Sequence, residues 1–100
     1  MSSDYDAIII GAGHNGLSCG ALLARRGWDV LVLEQAGEPG GACKTGELTE
    51  PGFKHDLYST NISLFLNSPT YEEIGDEMHE HGFEIVSSGD AYASLFPEGE

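Results

Sequence analysis

Tyr5-Asp6-Ala7-Ile8-Ile9-Ile10-Gly11-Ala12-Gly13-His14-Asn15-Gly16 decides how this chain is read. Ala7 to Ile10 is a short continuous apolar run, as expected of a parallel strand buried on both faces. It passes directly into the glycine pattern Gly11-x-Gly13-x-x-Gly16. A helical pattern follows, with Leu17, Ala21 and Ala24 on one stripe, and Gly27 is placed to stop it. A second apolar run, Val30-Leu31-Val32-Leu33, ends on an acid, Glu34. Residues 5–34 thus predict one β-α-β unit of Rossmann-like α/β design, suited to a dinucleotide.

Each part of that unit has its own physical reason. Gly11 permits the tight turn off the strand. Gly13 admits close approach of a pyrophosphate, and Gly16 lets the helix pack close to the strand. The free N–H groups of the first helical turn face the phosphates, at the positive end of the macrodipole. Gly20 removes a further side chain from the packing side. Glu34 stands at the tip of the second strand, about 20 residues beyond the glycines, where a carboxylate can accept ribose hydroxyls. The plainer alternative is a glycine-rich turn without a ligand, but the strand, the helix, the second strand and the terminal acid all stand where binding requires them.

Composition sets limits on the rest. One hundred residues make one small domain, too short for a whole doubly wound sheet with a substrate domain. The chain holds 17 acids against 4 bases, a net charge of −13. Residues 1–33 carry Asp4, Asp6 and Asp29 against Arg25 and Arg26, while the other 14 acids stand against Lys44 and Lys54 alone. The nucleotide-binding unit is therefore near neutral and the remainder strongly acidic. That argues against nucleic acid and anionic membranes as partners, since both would be repelled. It fits either a protein adapted to high salt or an acidic face for a basic partner. The start, Met1-Ser2-Ser3-Asp4, lacks the basic and apolar regions of a signal peptide, and no apolar run has transmembrane length. A cytoplasmic protein with reduced thiols is the expectation, with Cys19 and Cys43 as small buried hydrophobes and no metal site.

After Glu34 comes Gln35-Ala36-Gly37-Glu38-Pro39-Gly40-Gly41-Ala42-Cys43-Lys44-Thr45. Taken by itself this is a loop. Its place directly after the acid suits a second close backbone approach to an extended dinucleotide. Here the sequence resembles the amino-terminal flavin-binding segment of phytoene desaturase-like and amine oxidase-like flavoproteins. The motifs that carry the likeness are Gly11-x-Gly13-x-x-Gly16, Glu34 and Gly40-Gly41-x-x-x-Thr45, with Gly11-Ala12-Gly13-His14-Asn15-Gly16-Leu17 and Pro51-Gly52-Phe53-Lys54-His55-Asp56 similar to the phytoene dehydrogenase-related branch. The resemblance implies FAD as cofactor. Gly11, Gly13 and Gly16 would lie at the pyrophosphate, Glu34 at the adenosine ribose, and Gly40, Gly41 and Thr45 along the phosphate and ribityl stretch. His14 and Asn15 fill the variable positions of the loop, with His14 either near phosphate or simply exposed. Many members of the wider group carry Arg after the double glycine, whereas Ala42 stands here, and Lys44 is no automatic replacement.

The double-glycine loop is assigned to residues 35–56, and residues 46–66 read as extended or looping. His55-Asp56 is an acid–base pair or a local hydrogen bond. Ser68-Pro69 begins a helix with a capping residue and a proline at its first position. Tyr71, Ile74 and Met78 share one face of it, Glu72, Glu73, Asp76, Glu77 and Glu80 lie opposite, and Gly82 ends it. His79 and His81 point about 200° apart on a helix, so one ion cannot reach both. Phe83 to Val86 and Tyr92 to Phe96 are expected strands, with Pro97-Glu98-Gly99 opening a hairpin.

The expected whole is an incomplete FAD/NAD(P)-binding core, an amino-terminal fragment of an oxidoreductase acting on a small, isoprenoid-like molecule. No catalytic residue is assigned. An NAD-binding module and a non-catalytic protein resembling Rab GDP-dissociation inhibitors are the alternatives.

Overall fold

The computed structural model describes residues 4–59, 61–89 and 97. Strand β1 (Ala7–Ile10), helix α1 (His14–Arg25) and strand β2 (Val30–Leu33) form the expected β-α-β unit. The two strands run parallel, with Ala7 opposite Val30 and Ile10 opposite Leu33. Gly11 turns the chain off β1 at φ +102, a conformation L side chains rarely adopt. Gly27, at φ +85, ends the α1 turn, its N–H bonded to the Ala24 carbonyl.

Helix α1 packs on the sheet through absence of side chains. Gly20 is buried, and a Cβ there would stand 3.3 Å from Ile9 Cδ1 and 3.6 Å from Val32 Cγ2. Ala21 and Ala24 from the apolar stripe face a second helix instead, lining a groove with Ile74 and Met78. The opposite sheet face is uncovered in this chain: Ile8 is 59% exposed, Ile10 87% and Leu33 48%.

That second helix is α3 (Pro69–Glu80). It starts as its sequence requires, with Pro69 at the first helical position and Ser68 Oγ accepting the Tyr71 N–H at 3.2 Å. The acidic side of α3 is not all solvated. Glu73 pairs with Arg25 at 3.7 Å and with Arg26 at 3.2 Å, and Glu77 pairs with Arg25. The arginines at the end of α1 therefore dock α3 and offset one of its like-charged pairs, Glu73–Glu77. Tyr71 sits in an aromatic cluster, with Phe65 at 5.6 Å, His79 at 6.0 Å and Phe83 at 6.3 Å between ring centroids.

Two departures from the sequence pattern stand out. The stretch 46–66, expected to be extended or looping, is organised into an antiparallel hairpin of β3 (Thr45–Glu47, beginning one residue earlier) and β4 (Lys54–Asp56), followed by a short helix α2 (Ser63–Leu66). Its turn runs Glu50-Pro51-Gly52-Phe53, closed by Phe53 N–H to the Glu50 carbonyl at 3.1 Å, with Gly52 at φ +92. Conversely, the strand expected over Phe83 to Val86 is coil, with no strand partner among the described residues. Phe83 is tied to α3 by its N–H to the Met78 carbonyl, and Val86 is 91% exposed. Within that run Phe83 is the residue whose ring packs on α3, against Tyr71 and His79. The expected strand Tyr92 to Phe96 and most of its turn lie outside the described residues.

Candidate functional site

The site forms where β1, β2 and α1 meet the double-glycine segment. Gly13 is the N-cap of α1, in extended conformation, and no side chain caps the helix there. The first turn holds no acid, and the first intrahelical bond is Leu17 N–H to the Gly13 carbonyl at 2.9 Å. The N–H groups ahead of Leu17 are thus left pointing along the axis at the positive helix end, open to an anion.

Gly16 has no room for a side chain. A Cβ there would stand 2.2 Å from the Gly11 carbonyl oxygen, so the close fit of helix on strand requires glycine. The double-glycine segment then folds back onto this loop. Gly40 N–H bonds the Ala12 carbonyl at 2.7 Å, and Gly41 adopts φ +59 with its Cβ direction only 3.0 Å from Gly13 Cα. Five of the expected site residues, Gly11, Gly13, Gly16, Gly40 and Gly41, are therefore brought into one backbone-lined cradle.

Glu34 completes it in a way the sequence did not announce. Its Oε1 accepts the Ala12 N–H and its Oε2 the Ala36 N–H, both at 2.8 Å. These bonds hold its carboxyl below the usual carboxylate range, Ala36 contributing most and Ala12 next, against partial desolvation; Lys44 and the Gln35 N–H lower it further. Each carboxylate oxygen keeps a lone pair for a further donor. Ala12 is the unforeseen member: only 3% exposed, it gives its N–H to Glu34 and its carbonyl to Gly40. Its only signal in the sequence is its place between two glycines.

The remaining candidates are less central. His14 and Asn15 open α1 and are exposed. Thr45 lies on β3, its Oγ1 donating to Asp56 Oδ1 at 3.3 Å. With Lys44, Asp56, Ser59 and Ile62 it lines a separate groove of about 680 Å³. His55 and Asp56 do not bond each other: His55 Nε2 meets Thr49 Oγ1 at 3.0 Å. His79 bonds Tyr71 through Nε2 and the Phe83 carbonyl through Nδ1, while His81 Nδ1 meets the Glu77 carbonyl. The two histidines are thus held apart in different networks.

A glycine-lined turn, an uncapped helix end and an acid at the tip of the next strand define a dinucleotide-binding α/β protein. The chain belongs to the NAD(P)-binding Rossmann-like domain family, whose model matches residues 9–69. It is 46% identical over 72 residues to a limonene dehydrogenase polypeptide of Castellaniella defragrans, covering 72% of this chain and 13% of that protein. It is 33% identical over 95 residues to the phytoene desaturase of Cercospora nicotianae, covering 94% of this chain and 15% of that protein. Among solved structures, a fatty acid isomerase from P. acnes that produces CLA superposes with a TM-score of 0.58 at 28% identity, over 84% of this chain and 18% of its own. The likeness to phytoene desaturases read from the motifs is borne out, and both of these relatives are oxidoreductases. The chain spans about a seventh of their length.

Proposed function

We propose that this chain is the FAD-binding amino-terminal segment of a phytoene desaturase-like oxidoreductase and holds the ADP half of the cofactor. The observation that carries the reading is the docking of Gly40-Gly41 on the Ala12-Gly13 turn. A simple dinucleotide fingerprint needs only the first glycine loop, whereas here a second backbone segment extends the cradle in the direction of a longer cofactor.

The residues fit that group. The α1 N–H groups and the glycine backbones bind the pyrophosphate without side chains in the way. Glu34 orients the adenosine ribose, its carboxylate already fixed in direction by Ala12 and Ala36. His14 and Asn15 would border the phosphates; a ribityl role for Thr45 rests on the motif likeness alone, since its hydroxyl bonds Asp56 and it lines the separate groove. When bound, flavin supplies the electron transfer, and this chain positions it. The substrate would be a small apolar, isoprenoid-like molecule, the class to which limonene and phytoene, named in the two relatives, belong. The proposal includes a cytoplasmic setting in which the free thiols Cys19 and Cys43, both exposed and not buried as their sequence setting suggested, stay reduced.

The absorption spectrum of the purified intact protein tests this. A yellow protein that releases FAD on denaturation is the expected result. A colourless protein that binds NAD would favour a nicotinamide module, and one that takes up no dinucleotide would favour a non-catalytic relative.

A further inference from the structure

We propose that Gly41 is a positioning residue: its backbone, packed against Gly13, holds the glycine turn in the shape that presents the first N–H groups of α1 to phosphate. The proposal rests on the dinucleotide reading above and deepens it. The double-glycine segment then acts on the cofactor through the turn it braces, and not only as a wall of the cradle.

The contact is backbone on backbone. Gly41 stands at φ +59, and a Cβ on it would lie 3.0 Å from Gly13 Cα and 3.9 Å from Gly13 N. Gly13 is the N-cap of α1, and its carbonyl accepts the Leu17 N–H at 2.9 Å. No side chain caps that helix end, so the direction of its free N–H groups depends on how the Gly13 backbone is held. Two bonds keep Gly41 against it. Gly40 N–H donates to the Ala12 carbonyl at 2.7 Å, and Cys43 N–H donates to the Gly40 carbonyl at 2.9 Å. The second bond closes a turn in which a Cβ at Gly40 would stand 2.6 Å from the Cys43 carbonyl oxygen. Both glycines are thus required before any ligand arrives: Gly40 for its own turn, Gly41 for the contact with Gly13.

Gly41→Asn and Gly41→Ala in the intact protein, freed of resident nucleotide, test this, with Gly37→Asn as the control because a Cβ at Gly37 meets nothing within 4 Å. Asn tolerates a left-handed backbone, so Gly41→Asn adds the Cβ with little conformational strain and is the milder change. Hydrogen exchange across residues 11–17 is read without nucleotide, and equilibrium dialysis is run with ADP and with adenosine. Both Gly41 variants are expected to speed exchange in the turn and to weaken ADP binding roughly fivefold to twentyfold. Adenosine binding should be unchanged, since Ala36 also holds the Glu34 carboxylate. Weakened ADP binding with wild-type exchange in the turn would mean that Gly41 meets phosphate itself, and would overturn the positioning role. Full ADP affinity in Gly41→Asn, or an equal loss for ADP and adenosine, would overturn it too. In wild type, ADP but not adenosine should slow exchange of the turn and of Gly40 together; slowing at the turn alone would sink the coupling, however the variants fold. A wild-type protein that binds no ADP would overturn the dinucleotide reading and this proposal with it.

Discussion

Glu34 and Ala12 are joined across 22 positions of sequence by one hydrogen bond of 2.8 Å, from the Ala12 N–H to Glu34 Oε1. The tip of β2 is thereby latched to the turn that leaves β1. The same carboxylate expected to receive ribose hydroxyls also shapes the turn expected to receive phosphate. Glu34→Ala should therefore weaken FAD binding by more than the loss of a ribose contact, roughly tenfold to a hundredfold in the intact protein. Fluorescence titration of flavin checks it, and an unchanged dissociation constant would remove Glu34 from the site.

The latch also predicts a pH dependence. The folded-state pKa of Glu34 lies below its ordinary value of 4.5, so ionised Glu34 stabilises the native state. That contribution is present in full above about pH 4.5 and is lost as pH falls through the lower folded value. Urea melts of wild type and Glu34→Gln between neutral pH and about pH 3 should show a stability difference that shrinks in the acid range. A difference independent of pH would show that the carboxylate charge is not what holds the turn.

Gly16→Ala is expected to be severe. Its added carbon would lie 2.2 Å from a backbone oxygen that cannot move without displacing β1 or α1, and overpacking of this kind costs about 3 kcal/mol or more. Gly37→Ala meets nothing within 4 Å and serves as the control, expected to stay within about 0.5 kcal/mol of wild type. Thermal melts that rank the two alike would contradict the close helix–strand fit.

High salt should stabilise the protein. Residues 34–100 carry most of the net charge of −13, and the two arginine anchors offset only Glu73 and Glu77. Screening should relieve Glu72–Asp76 and Asp76–Glu80, each worth roughly 0.2–0.5 kcal/mol at low salt. Melts at ~0.1 and ~2 M KCl are expected to show a rise; a flat or falling Tm would favour an acidic face that docks a basic partner.

Expressed as these 100 residues alone, the chain should aggregate or remain partly molten. Ile8, Ile10 and Leu33 leave one face of a two-stranded sheet apolar and largely exposed, and such a pair is marginal without more strands or a covering layer. Dye binding to exposed apolar surface and size-exclusion profiles measure this. A monodisperse, cooperatively melting chain with tight stoichiometric flavin binding would show it to be a self-sufficient module.

The β-α-β unit was legible because its signals are local and agree: two apolar runs, glycines where the backbone turns or closes, and an acid at the tip of β2. Helix α3 was legible for the same reason, through Ser68, Pro69 and Gly82. The hairpin was not, because β3 and β4 have only three residues each, with Gly46 in one and Lys54, His55 and Asp56 making the other wholly polar. Pro51-Gly52 was the available turn signal, and it lay between strands too polar to be noticed. The arginine anchors escaped because Arg25 and Glu77 are 52 positions apart, and no local period encodes such a pairing. Glu34's bonds to Ala12 and Ala36 belong to the same class: its position was readable, whereas its partners depend on how the loop closes.

Ala12 holds Glu34 by its N–H and Gly40 by its carbonyl, so residues 34 to 40 form a closed lariat anchored on one peptide residue. Between the anchors the chain is exposed, and a Cβ added at Gly37 would meet nothing within 4 Å. Lengthening such a loop costs only a fraction of a kcal/mol per doubling, about 0.6. Insertions at Gly37 should therefore leave both anchors intact, making this arc a place to graft a tag or a reporter beside the nucleotide without dismantling its seat.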